Sequence, residues 1–151
     1  MPNYWMKPEG TTEPPTALDN DWTDGLDLSR WPVMSGPAHS QRNPPPLETS
    51  DFLIFHAVKH ARLIAAGQML GPPEWDTSNP IWGRRFPWCF DVRVDVWVPL
   101  IDDAPKTSTV APKRAFGAIQ AGGPYASLSH SEYEEMRNAL LAVPTVQVRD
   151  G

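Results

Sequence analysis

Trp88-Cys89-Phe90-Asp91-Val92-Arg93-Val94-Asp95-Val96-Trp97-Val98 is the stretch whose reading decides the fold. Asp91, Arg93 and Asp95 alternate with Val92, Val94 and Val96, so charges fall on one face and valines on the other, the pattern of a strand with one side buried. Working back along the chain, Asp51-Phe52-Leu53-Ile54-Phe55-His56-Ala57-Val58 is continuously apolar, as a buried strand is, and Arg62 to Leu70 supplies another. The short polar stretch Lys59-His60 between them predicts a hairpin. Tyr4-Trp5-Met6-Lys7 predicts a first strand that Pro8 stops by removing a backbone donor. Working forward, Lys113 to Ile119 predicts one or two helical turns. Ser129-His130-Ser131-Glu132 is a capping box, opening a helix that turns Tyr133, Met136, Leu140 and Leu141 inward and ends by Pro144. Strands first, a helix late and no βαβ alternation predict a mixed α+β barrel and not a doubly wound sheet.

Two stretches interrupt this pattern. Residues 8–48 hold many Pro, Gly, Asp and Asn, with three prolines at 44–46, yet they also carry Trp22 and Trp31. Disordered segments seldom contain large aromatics, so the expectation is a long ordered loop with a short helix near Leu26 to Trp31, and loops of that length in compact domains usually carry function. The second stretch, Gly71-Pro72-Pro73 to Pro87, is again rich in turn residues.

With 151 residues, 40% of them apolar, and seven Trp, the chain can build one core, and a single domain over 1–151 is expected. No apolar run approaches the ~20 residues needed to cross a bilayer, and Met1 to Gly10 lacks the basic-then-apolar order of a signal peptide, so a cytoplasmic location without membrane contact is expected. Cys89 is the only cysteine, which excludes an internal disulfide and a CxxC metal site. His56 and His60 are four apart, but they straddle a strand end, and Ala57 stands where a metalloprotease motif needs glutamate. No GxSxG, phosphate-cradling loop or nuclease metal cluster is present, so no catalytic residue, metal or cofactor is expected and a binding module is.

The formal net charge is −5, which argues against strong sequence-independent binding to phosphates. It is unevenly spread. Up to residue 55, Glu9, Glu13, Asp19, Asp21, Asp24, Asp27, Glu48 and Asp51 stand against Lys7, Arg30 and Arg42, and the remainder is neutral overall with basic pairs at Lys59/Arg62, Arg84/Arg85 and Lys113/Arg114. A polyanion would be met locally.

The order of segments, from Tyr4-Trp5-Met6-Lys7 through the aromatic-bearing loop, the Ser50-Asp51-Phe52-Leu53-Ile54-Phe55 strand, the hairpin return to Gln68-Met69-Leu70, Asn79-Pro80-Ile81-Trp82 and Phe86-Pro87-Trp88 into the valine-rich strand, resembles EVE domains and the related YTH domains. The resemblance runs from Asn3 to about Leu141 and includes Ser127-Leu128-Ser129 at the start of the last helix. It implies a PUA-like pseudo-barrel of about five to six strands flanked by short helices. It also implies that a flipped, methylated base is held by one Trp from the loop after the first strand and another from the segment between the hairpin and the long strand. The matching positions are Trp31, in Arg30-Trp31-Pro32-Val33-Met34-Ser35, and Trp82, with Trp22 as the residue that could exchange with Trp31. Lys7 and Pro8 sit where the family places polar groups against the base or its backbone; Pro8 and Gly10 depart from its usual polar choices.

A flipped base needs flat apolar walls and a few fixed polar groups on its edge. Trp31 and Trp82, flanked by Pro, Ser, Gly and Arg, suit the walls, whereas Trp88 and Trp97 inside a strand pattern suit the core; Trp5, Trp22 and Trp75 fit either. Lys7, Ser35 and His56 are candidates for the base edge or backbone, although for His56 a satisfied core histidine is the first reading. Arg84 and Arg85 are candidate phosphate contacts or a solvated pair, and Lys59 and Arg62 have the same two readings. The expected ligand is 5-methylcytosine, 5-hydroxymethylcytosine or N6-methyladenine in nucleic acid, DNA before RNA, with a nuclease domain or subunit as a candidate partner. The alternatives are a reader of modified RNA and a protein-interaction domain using the Pro-rich loop.

Overall fold

The computed structural model describes residues 2–9, 32–34, 45–58, 60–75, 88–121, 123 and 125–149. Its strands are β1 (Tyr4–Glu9), β2 (Pro32–Met34), β3 (Phe52–Ala57), β4 (Arg62–Met69), β5 (Glu74–Trp75), β6 (Trp88–Trp97), β7 (Ala126–Leu128) and β8 (Gln147–Val148). The helices are α1 (Thr107–Val110), α2 (Lys113–Gln120) and α3 (His130–Leu141), and a 3-10 turn spans Ile101–Asp103. The described strands form one hydrogen-bonded system in the order β2-β6-β4-β3-β1-β7, with β5 and β8 also on β6. The mixed α+β expectation holds.

β6 is the spine, as its alternation predicts: Val92, Val94 and Val96 are buried, and Asp91, Arg93 and Asp95 are exposed or half-buried. Its first half lies between β2 and β5, since Cys89 pairs with both Met34 and Glu74; its second half lies between β4 and β8. β3 and β4 form the expected antiparallel hairpin, with a bulge at Phe55/His56, and Ala61 in its turn has φ 52°. β1 runs parallel to β3 and antiparallel to β7. Contrary to expectation, Pro8 does not stop β1, which continues to Glu9. β7 pairs only as far as Met6, so beyond that point β1 has β3 as its only described neighbour, and proline is tolerated at such an edge position.

Strand alternation and register sort the side chains onto two faces. Tyr4, Met6 and Pro8 share one face with Phe52, Ile54 and His56, and this face is covered by the helices: Tyr4 stacks on Phe52 at 5.4 Å, both rings meet Tyr133 of α3, and His56 meets Phe116 of α2. Trp5 and Lys7 share the other face with Leu53 and Phe55, continued by Gly67, Met69, Val92 and Val94. Burial of Leu53, Phe55, Leu63, Ile64, Met69, Val92, Val94, Val96, Met136 and Leu140 supplies the main apolar driving force.

The capping box forms as read. The Glu132 amide donates to Ser129 Oγ at 3.1 Å, and the Ser129 amide donates to Glu132 Oε1 at 2.8 Å. Tyr133, Met136 and Leu140 face inward, but Leu141 is 37% exposed. One residue along a helix is a rotation of about 100°, which carries Leu141 off the stripe that Leu140 ends. Of Ser127-Leu128-Ser129, expected at the start of the last helix, Ser129 caps it, but Ser127 and Leu128 belong to β7 instead.

The β4–β6 ladder shifts register between Ala66 and Gly67, and Gly67 lies close against the β6 backbone. A Cβ there would lie 2.5 Å from the Arg93 carbonyl oxygen and 3.0 Å from Val94 Cα, and both are backbone atoms of the central strand. Gly67→Ala is therefore expected to destabilise the fold by about 1–3 kcal/mol. Urea unfolding reads this directly; an unchanged midpoint would show that the two strands separate at no cost.

Candidate nucleic-acid interface

Lys7 is buried, 2% exposed, on the face opposite the helices and in register with Phe55. Burying an ammonium is costly without hydrogen bonds, and Lys7 Nζ donates to the Pro8 carbonyl at 2.9 Å. An ammonium is a donor-only group, so its contacts are with acceptor atoms.

β1 is held in place by Asp51, which is 1% exposed at the start of β3. Asp51 Oδ1 accepts from the Asn3 amide at 2.9 Å, and Oδ2 accepts from Trp5 Nε1 at 2.9 Å and from the Glu48 amide at 3.0 Å. Its backbone carbonyl accepts from the Met69 amide at 2.8 Å. One residue thus joins β1, the chain before β3 and the end of β4. The sequence reading missed it, although an acid directly before an apolar strand is a visible signal.

His56 is 3% exposed and stands on the helix-covered face, not beside Lys7. Its Nδ1 is 2.7 Å from Thr107 Oγ1, and its ring meets Phe116 edge-on at 87°. Burial lowers its pKa to about 4. Of its two readings, the geometry fits the satisfied core histidine: one residue along β3 switches faces, so His56 and Lys7 do not converge. Arg62 likewise has a structural engagement, its Nη1 donating to the carbonyls of Asp102 and Ala104. A β-bridge sets Lys106, which is exposed, beside Arg62. Lys106 is a basic neighbour of the hairpin that sequence separation concealed.

Asp95 lies on the helix-covered face of β6. Its Oδ1 is buried without a hydrogen-bond partner among the described residues, and desolvation raises its pKa against the opposing pull of Arg137, Arg93 and Arg149. Desolvation also pushes the Tyr133 hydroxyl up, assisted by the Asp95 charge. These shifts belong to the packing under α3.

Trp22, Trp31, Ser35, Lys59, Trp82, Arg84 and Arg85 lie outside the described residues. The described strands next to them in sequence are close neighbours: β2, which begins directly after Trp31, and β5 and β6, which bound residues 76–87, all hydrogen-bond through β6. Of the tryptophans read from sequence as core, Trp97 is half-buried against the core, and half-buried Trp88 meets Trp75 edge-to-face at 5.4 Å and 82°. Among the described residues no group of three His, Cys, Asp or Glu side chains stands together to hold a metal, and no helix is long and apolar enough to cross a membrane.

No protein-family model matches the chain, and no curated protein sequence matches it. Solved structures do. A hypothetical protein from Leishmania major superposes with a TM-score of 0.56 at 13% identity, over 91% of this chain and 94% of its own. The YTH domain of Zygosaccharomyces rouxii MRB1, solved with N6-methyladenosine RNA, gives 0.56 at 12% identity, over 95% and 90%. The Pho92 YTH domain, solved with m6A, gives 0.54 at 10% identity, over 97% and 88%. Across nearly its whole length, the chain has the fold of a YTH domain.

Proposed function

We propose that this chain is a non-catalytic reader that holds one flipped, modified base of a nucleic acid between Trp31 and Trp82, with Trp22 as the alternative wall. The observation that carries the reading is the YTH fold over nearly the whole chain in two neighbours solved with N6-methyladenosine RNA or m6A. The arrangement of the strands supports it, because β2 and β5, from which the two Trp-bearing segments continue, flank the same end of β6. Lys7 presents donors to an acceptor on the base or its backbone, Ser35 is a second polar contact, and Arg84, Arg85 and Lys59 meet phosphates. Modest net affinity fits a chain with net charge −5, and pairing with a nuclease domain or subunit would add avidity.

DNA carrying 5-methylcytosine, 5-hydroxymethylcytosine or N6-methyladenine is the first ligand to test. RNA is the second, favoured by the neighbour solved with N6-methyladenosine RNA. Short DNA and RNA oligonucleotides with each base, modified and unmodified, are titrated at low salt against wild type, Trp31→Ala and Trp82→Ala. One modified base is expected to bind selectively and to lose about ten-fold or more in each folded variant, the loss of one base-aromatic stack. Equal weak binding of every oligonucleotide, indifferent to both substitutions, would dismiss the cage and leave the protein-interaction reading.

A further inference from the structure

Residues 70–75 carry the chain from β4 to β5 and leave Leu70 56% and Trp75 50% exposed. The other large aromatics among the described residues are buried or half-buried, so a Trp with half its surface in water asks for a reason. Trp75 is held firmly. β5 pairs with β6, Trp75 is the cross-strand partner of Trp88, and the two rings meet edge-to-face at 5.4 Å. Such a pair fixes the indole without covering it.

We propose that Trp75 is a stacking platform for an unpaired base next to the one that is read, a proposal that rests on the reader assignment above. Three observations select this occupant. The ring is preorganised and open, as a sequence-tolerant stacking surface must be. β5, Glu74–Trp75, contributes no cation to hold a phosphate and offers a flat ring to an uncharged one. The paired Trp75 and Trp88 are joined in sequence by residues 76–87, which carry Trp82, Arg84 and Arg85, so on the reader assignment the platform and the cage wall belong to one connection. Leu70 extends the apolar strip along the flank of β6, its amide donating to the Asp91 carbonyl at 3.0 Å.

The test compares wild type, Trp75→Ala and Trp75→Phe, all checked for unchanged thermal unfolding, with two probes: free N6-methyladenosine and an RNA pentanucleotide carrying it centrally among uridines. Trp75→Ala is expected to weaken the pentanucleotide about ten-fold while leaving the nucleoside unchanged, and Trp75→Phe to restore most of the loss. Replacing the flanking uridines by abasic units should weaken wild type and erase its difference from Trp75→Ala. If the nucleoside binds and all three proteins hold the pentanucleotide equally, the platform is wrong and the reader stands. If the nucleoside fails to bind while Trp75→Ala still weakens the pentanucleotide, Trp75 touches RNA with no read base beside it, and the reader fails and takes the platform as proposed with it. Absence of any binding of these probes overturns the platform, and the reader falls with it if the modified DNA oligonucleotides also fail to bind. Concentration-dependent self-association of the wild type, lost in Trp75→Ala with oligonucleotide binding unaffected, would assign the face to a second copy and overturn the proposal.

Discussion

Asp51→Ala is expected to cost about 3–5 kcal/mol of folding stability, a large part of the roughly 5–15 kcal/mol available to a domain of this size. The carboxylate accepts the Asn3 amide, Trp5 Nε1 and the Glu48 amide from a site that is 1% exposed. Alanine leaves all three donors without their carboxylate acceptor at once. Hydrogen bonds to a charged group contribute about 1.5–3 kcal/mol each, but the contributions do not simply add, and the Asn3 end can rehydrate because Asn3 itself is exposed. The Asp51→Asn change keeps one acceptor oxygen and turns an amide group toward a donor, so it should lose about half as much. Urea unfolding of the three proteins measures the series; a loss under about 1 kcal/mol for Asp51→Ala would show that β1 is held by packing alone. The effect reaches the interface because Asp51 anchors the start of β1 against β3, and that register places Lys7 beside Phe55. The destabilised variant should therefore bind less well even where it remains folded.

What could be read from the sequence was whatever has a local period. β3, β4 and β6 repeat apolar residues over six to ten positions, and α3 combines a capping box with an apolar stripe, so each declares itself without its neighbours. β2, β5, β7 and β8 are two or three residues long and are strands only because β6 or β1 lies alongside; no window of the sequence contains that partner. The extension of β1 through Pro8 has the same origin, since the local penalty of proline depends on whether a second strand needs its missing donor. At the site, Lys7 and His56 were legible as polar residues in strands, but their separation onto opposite faces follows from the parallel register of β1 on β3, a long-range fact. Asp51 was counted as one of many acids, although its position directly before an apolar strand distinguishes it from Asp19 or Asp24. Lys106 reaches Arg62 only through a bridge between distant segments.

Acidification should unlock the helix-covered face through His56. Folded, the imidazole is buried and its pKa is lowered to about 4 by desolvation, against 6.5 for the free side chain. The unfolded chain therefore takes up the proton first. Above pH 6.5 neither state is protonated and the stabilisation is complete. As pH falls from 6.5 toward 4, the unfolded state binds a proton that the folded state refuses, and stability drops by on the order of 3 kcal/mol in total. Other groups titrate in the same interval. Glu132, held below its usual value first by the Ser129 backbone bond, loses stability at lower pH, while Asp95, raised by desolvation, works in the opposite sense. The difference between wild type and His56→Leu isolates the histidine. Unfolding free energies measured from about pH 7.5 to about pH 4 should show a slope in wild type, below the free imidazole's pKa, that is flattened in the variant; parallel curves would mean that His56 is not the group responsible. Since His56 joins β3 to α1 through Thr107 and to α2 through Phe116, protonation should detach those helices first. Lys7 lies on the far face of the same part of the sheet, so the loss of binding in acid should track the loss of structure and not precede it.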